Sequence, residues 1–202
     1  MKKNMITRAL AGTVLISASL STSAVVAPFN VGFVTIQDLE ITQNNALSFG
    51  QNVIGTAAST CTMDVNVLAA NNGNNGTIPN ADIEDAITGT GCLAVATGAG
   101  NNLAGVYTVK GQTDQSFTLT LGSVATGGDF SFSPKGFMVR DDSAVTFATA
   151  TILFADTPTS GTLGDSAAFQ MGVVVGGTIT IGGTDLVANT PYTANYNITA
   201  TY

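Results

Sequence analysis

Apolar and polar residues alternate with a period of two along most of the chain after residue 30. That spacing puts one face of a strand on a core and the other in water. The closing segment shows it without a break. Tyr192, Ala194, Tyr196, Ile198, Ala200 and Tyr202 share one face, and Thr193, Asn195, Asn197, Thr199 and Thr201 the other. Phe117, Leu119 and Leu121 alternate with Thr118 and Thr120, and Met63, Val65 and Val67 with Asp64 and Asn66. Further strands are predicted over 33–41, 46–49, 106–110, 129–133, 145–154, 168–175 and 178–181. Gly- and Pro-containing stretches separate them: Gly122, Gly127-Gly128, Pro134 to Gly136, Pro158 to Gly164 and Gly182-Gly183. Gly172 to Gly177 reads as close strand turns. Many short strands with such turns predict an all-β antiparallel sandwich.

One segment departs from this pattern. Asn71 to Thr77 is a polar loop rich in Asn and Gly. Asn80 then stands where it would cap a short helical insert near 80–87, with Asp82, Glu84 and Asp85 in its first turn and Ile83 and Ile87 facing inward. Acids there suit the helix dipole.

The N-terminus sets the compartment. Lys2, Lys3 and Arg8 precede an apolar run from Ala9 to Leu20, and Thr22 and Ala24 follow at the spacing of a cleavage site. This is the pattern of a secretory signal, read as residues 1–24. The run is too short for a transmembrane helix, which needs about 20 apolar residues. No later run is longer, so no transmembrane segment is expected. Residues 25–36 read as an N-terminal extension or first strand, and 37–202 as one sandwich domain.

Composition narrows the function. Only 9% of residues are charged, against roughly 25% in an ordinary soluble domain. The polar surface is instead 30 Thr, 23 Gly, 16 Asn and 13 Ser. Threonine suits a half-wet strand, because its β-branch fits the pleat. There is no His, so Ser-His or Cys-His catalysis and His-based zinc sites are excluded. The net charge is −7, and removal of residues 1–24 leaves three cations, Lys110, Lys135 and Arg140, against thirteen acids, a net charge of −10. That excludes a phosphate-binding basic face, so no nucleic-acid partner is expected. Asp141-Asp142 and the Asp82, Glu84, Asp85 group read as solvated turn acids, with a calcium site of oxygen ligands in either cluster as the alternative. No catalytic residue, metal ligand or cofactor is assigned. Cys61 and Cys92 are the only cysteines, and an even count in an exported chain predicts a disulfide.

Three stretches together resemble a secreted bacterial family, domain-of-unknown-function family 4402. They are Leu47-Ser48-Phe49-Gly50; Val106 to Leu121, with a turn beginning Gly111-Gln112; and Phe169 to Tyr202, where Val-Gly-Gly-x-Ile-x-Ile precedes a Tyr-rich closing strand. Two features depart from the family pattern. Thr190-Pro191 stands where a Gly is usual, and the 61–92 insert is long and rich in Asn. The resemblance implies an immunoglobulin-like sandwich, and similarity to the pilin-type subunits of chaperone–usher fibres. In such fibres each subunit's missing strand is supplied by the next subunit's N-terminal extension. A periplasmic chaperone, an usher and further copies of the chain are the partners this implies.

The N-terminal segment has the matching pattern. Ala27, Phe29, Val31 and Phe33 alternate with Pro28, Asn30 and Gly32. It reads either as a donor strand or as the first strand of its own sandwich. The expectation is therefore a non-enzymatic, exported structural protein of the bacterial cell surface, a pilus- or fibre-like subunit that passes through the periplasm. The alternative is a monomeric secreted or surface module that binds glycan or matrix.

Overall fold

Strand β11, Met171–Ile181, is the axis of the larger sheet. The computed structural model describes residues 34–67, 78, 82–101, 103–126, 129–141, 150–165 and 170–202. The expected signal segment 1–24 and the positions Ala27, Phe29, Val31 and Phe33 lie outside the described residues. In chain order the other strands are β1 Glu40–Asn45, β2 Thr60–Val67, β3 Ile83–Thr88, β4 Val95–Ala99, β5 Gly105–Lys110 and β6 Ser116–Leu121. They continue with β7 Val124–Thr126, β8 Phe130–Arg140, β9 Thr151–Phe154, β10 Thr159–Thr162 and β12 Ile198–Thr201. The ladders between these strands are antiparallel, an isolated bridge Leu121↔Ala155 is parallel, and the fold is the sandwich-like all-β class expected.

One edge of β11 pairs along its whole length with β8, from Met171↔Arg140 to Ile181↔Phe130. The other edge changes partner: β5 over Met171–Val175, then β2 over Gly177–Thr180. β8 changes partner too, from β7 at Phe130–Phe132 to β9 at Lys135–Met138. A smaller sheet, β10-β6-β12, completes the architecture.

The core follows from these pairings. Phe117, Leu119 and Leu121 of β6 point across to Tyr107, Val109, Met138, Leu153, Met171, Val173 and Val175. Burying each such side chain contributes about 1.5–3 kcal/mol. The intervening residues Val106, Val139 and Val174 face the opposite side, where Val67, Ile78 and Ile83 cover them. β11 is thus buried on both faces from Met171 to Gly177. That is why its first half reads as a near-continuous Val run rather than an alternation. A third cluster, Phe49, Cys61, Met63, Ile87, Cys92 and Phe132, fills the disulfide end.

Sequence expectations are corrected at several points: residues 46–49 form no strand, and of 34–41 only Glu40 and Ile41 join one, β1. First, residues 83–88 form strand β3, not the second half of a helix near 80–87. Ile83 and Ile87 share a face in a helix, but they also share one in a strand, with Asp85 between them. The ladder offered by β2, from Val67↔Ile83 to Thr62↔Thr88, decides between the two.

Second, Gly176-Gly177 is not a turn. It lies inside β11, where that strand passes from β5 to β2. A Cβ on Gly176 would meet the Met63 carbonyl oxygen, and Gly177 has φ +139° opposite Pro134. Only glycine accommodates both demands.

Third, Pro134 to Gly136 does not end a strand. Pro134 sits between the β7 and β9 pairings, so its missing N–H removes no ladder bond there. The closing strand is also shorter than expected. Its half-buried, exposed alternation runs from Thr193 to Thr201, yet only Ile198–Thr201 joins a ladder. β6 ends at Leu121, the partner of Ile198, and beyond it a single backbone bond, Gly122 N–H to the Asn197 carbonyl (2.8 Å), extends the contact.

Candidate functional site

The sequence-predicted positions separate into groups with different roles. Cys61 and Cys92 are joined as a disulfide with Cα atoms 5.3 Å apart, and both are buried. Cys61 lies on β2, and Cys92 lies beyond β3 in a bridge to Val53. The link therefore closes the open end of the β2–β3 pair.

The acidic residues diverge. On β3, Glu84 and Asp85 point to opposite faces, as neighbours on a strand must. Asp85 is buried, not solvated as expected, and its Oδ2 accepts from the backbone N–H of Leu103 (3.0 Å) and Ala104 (3.2 Å). Its role is to hold the approach to β5. Asp82 and Asp141 are buried as well, where solvated turn acids were expected. Asp142 lies outside the described residues. Arg140 pairs with Asp114 at 2.7 Å, on the β5–β6 turn.

The closing strand is fastened by its tyrosines. Tyr196 and Tyr107 share a hydroxyl hydrogen bond of 2.5 Å, with rings edge to face. Burial pushes the Tyr196 hydroxyl well above its ordinary range, and the Tyr107 bond adds to this. Burial raises Tyr107 too, partly offset by the same bond. The Tyr202 hydroxyl accepts from Gln112 N–H (2.7 Å) and donates to the Gln37 carbonyl (2.7 Å). The chain before β1, the β5–β6 turn and the C-terminal residue are thereby joined at one point.

The feature that sequence reasoning missed is the β9 edge. Among the described residues, β9 pairs only with β8. Leu153 is buried beneath it, while Ile152 is 46% and Phe154 52% exposed. Of the exposed large apolar side chains among the described residues, only these two lie on a strand. Ile152 faces Phe137 and Phe154 faces Lys135 across the β8 ladder. Phe137 and Lys135 also line a shallow depression with Met63, Asp64 and Val65, whose volume of about 10 Å³ is about that needed by a single water.

The end of β9 is held firmly. Asp156 N–H donates to the Leu121 carbonyl (2.7 Å), and the Asp156 side chain accepts from Ser123 N–H (2.9 Å) and Oγ. Those bonds hold the Asp156 carboxyl below its usual range. Natural edges are guarded by charge, proline or bulges. β1 carries Glu40 and a bulge, and β10 is Thr-Ser-Gly-Thr, whereas β9 is Thr-Ile-Leu-Phe. The legible signal was its missing alternation, with apolar residues on both faces of one short strand. No protein-family model, curated protein or solved structure matches this chain.

Proposed function

We propose that this chain is an exported structural protein of the bacterial cell surface, a fibre- or pilus-like subunit that assembles by β-strand addition. The observation that carries this reading is the unguarded β9 edge with Ile152 and Phe154 bare. Such an edge is a template for another strand. The alternating Ala27, Phe29, Val31, Phe33 segment supplies a strand of matching chemistry. The signal-like N-terminus, the Cys61–Cys92 disulfide and the motifs that resemble those of family 4402 support export and a surface role. A periplasmic chaperone would shield the edge in transit, and an usher would organise the exchange. The side-chain hydrogen bonds of Tyr107, Tyr196, Tyr202 and Asp85 all hold strands and loops in place, as a load-carrying subunit requires.

The test compares the mature protein with a version lacking residues 25–33 by electron microscopy and size exclusion. Fibres or oligomers formed by the first and lost by the second support the reading. Assemblies that survive the deletion overturn it. A second reading, a monomeric binding module for glycan or matrix, draws on another exposed patch. Backbone bonds Ile54 N–H to Gly91, Leu93 N–H to Asn52 and Leu186 N–H to Gly55 gather exposed Ile54, Leu93 and Val187 near Tyr192. Monomers from both versions would favour it.

A further inference from the structure

We propose that the peptide bond between Gly122 and Ser123 is a self-cleavage site, attacked by the Ser123 hydroxyl with Asp156 as its base and acid. The cut is independent of strand addition and needs only the folded chain.

The site lies where the chain leaves the smaller sheet for the larger. β6 ends at Leu121 and β7 begins at Val124, so Gly122-Ser123 is the whole crossing. Both sides of it are held. Gly122 N–H donates to the Asn197 carbonyl (2.8 Å), and β7 is laddered to β8. Asp156 arrives from just beyond β9. Its N–H donates to the Leu121 carbonyl (2.7 Å), and its backbone is left-handed, with φ +54°.

One carboxylate touches both reacting atoms. Asp156 Oδ2 accepts from Ser123 Oγ (2.5 Å), and Oδ1 accepts from Ser123 N–H (2.9 Å). The first partner is the nucleophile, and the second is the leaving nitrogen of the same peptide bond. Both lie within the reach that general base and acid catalysis require. A serine hydroxyl becomes a competent nucleophile beside such a base. Attack on the Gly122 carbonyl carbon closes a small ring through Oγ, Cβ, Cα and N, so no separate group has to approach. Intramolecular placement of this kind removes much of the entropic barrier.

Glycine at 122 suits this chemistry and is not required by the fold. Its backbone is outside the left-handed region. A Cβ there would meet only Asn197, at 3.6 Å and beyond, which is ordinary contact. A side chain would instead crowd the carbonyl carbon under attack.

The bonds balance in two steps. First, Asp156 takes the hydroxyl proton as Oγ bonds to the Gly122 carbon. The C–N bond then breaks, and the carboxyl returns the proton to the Ser123 nitrogen. This leaves an ester between Gly122 and Ser123 Oγ, and a free amine on Ser123. Second, solvent water adds to the ester carbon, and Oγ leaves as a hydroxyl. Ser123 and Asp156 are both exposed, so water reaches the ester. Nothing is oxidised or reduced, and one water is consumed. The two fragments stay folded together, because β11 pairs with β2 and β5, and β6 with β10 and β12.

The experiment incubates the full mature chain under native conditions, with and without hydroxylamine, and reads it by denaturing gel and mass spectrometry. Cys61 and Cys92 both precede the cut, so the disulfide does not join the fragments. Asn72-Gly73 and Asn75-Gly76 are themselves open to hydroxylamine, so the product is identified by its new ends. The expected fragments end at Gly122 and begin at Ser123. Hydroxylamine is expected to speed their release and to leave a hydroxamate on Gly122, the signature of the ester. Ser123→Ala is expected to abolish the cut, Ser123→Thr to retain it, and Asp156→Asn to slow it about a hundredfold. These variants replace exposed side chains, and an unchanged circular dichroism spectrum confirms the fold. Absence of any cut between Gly122 and Ser123 overturns the proposal. So does a cut that persists in Ser123→Ala, or one that is no slower in Asp156→Asn.

Discussion

Replacing Cys61 and Cys92 together with alanine tests how far the sandwich depends on oxidation. The disulfide spans 31 positions. In the chain-entropy picture, a crosslink over a loop of that length stabilises by about 3.7 kcal/mol at 25 °C, because the denatured chain loses freedom. Both sulfurs are buried in the cluster with Phe49, Met63, Ile87 and Phe132. Their loss leaves a small void, which adds about 1 kcal/mol. For the unit Thr35–Tyr202, an unfolding entropy near 2.1 cal/mol/K per residue gives about 0.35 kcal/mol per kelvin. The crosslink alone then corresponds to a fall in Tm of roughly 10 °C. Calorimetry of the mature protein, with and without reductant, and of the double variant measures this. Guanidinium unfolding supplies the slope m, which is expected to rise as the denatured chain expands. A Tm that falls by less than about 2 °C, with m unchanged, would refute the loop-entropy argument. Two thiols that alkylate freely in unreduced protein would refute the crosslink itself.

Other substitutions probe the sheet and its fastenings. Gly177→Ala, at φ +139° and against the Ser133 and Pro134 backbone, is expected to cost about 3 kcal/mol by chemical denaturation. Gly183→Ala, where an added Cβ meets nothing within 4 Å, is expected to stay within about 0.5 kcal/mol of wild type. Asp85→Ala leaves the Leu103 and Ala104 N–H groups without their acceptor, an expected loss of about 3 kcal/mol. Asp85→Asn retains an acceptor and is expected to recover most of that loss. Tyr107 and Tyr196 are both raised above the ordinary tyrosine value, so the folded state keeps protons that the unfolded chain releases above about pH 10. Their contribution is complete below that pH and is lost as pH rises, by about 1.4 kcal/mol per pH unit for each tyrosine. Ultraviolet tyrosinate titration checks it. Both hydroxyls ionising at the ordinary value in the folded protein would show the reasoning to be wrong.

Much of the architecture is legible in the order of residues. Phe117, Leu119 and Leu121 form the inner face of the central strand of the smaller sheet, and the Thr residues between them its wetter face. Met63 and Val67 lie inward on β2, with Asp64 and Asn66 outward. The β-branch of Thr serves this wet face directly: Thr62 and Thr178 meet through their hydroxyls at 3.0 Å across the β2–β11 pair. Where alternation is strong and one face is dry, period alone identifies the strand. It fails at residues 83–88, because Ile83 and Ile87 share a face under either period. It fails again at Gly176-Gly177 and Pro134, where residues that usually interrupt strands mark changes of partner within long ones.

The sequence by itself determined that the chain is a β protein of low charge with one cysteine pair. Those properties reside in local periodicity and composition, which each segment carries alone. Only the tertiary structure decided which strands neighbour which. Asp85 became an internal brace because β3 lies beside the approach to β5. β11 became buried on both faces because β2 and β3 cover the side away from the smaller sheet. The candidate site shows the same limit. Thr-Ile-Leu-Phe reads as an ordinary apolar strand, and only the pairings among the described residues leave it with β8 as its one ladder partner. A strand becomes an edge through the absence of a neighbour, and no residue in the strand itself records that absence.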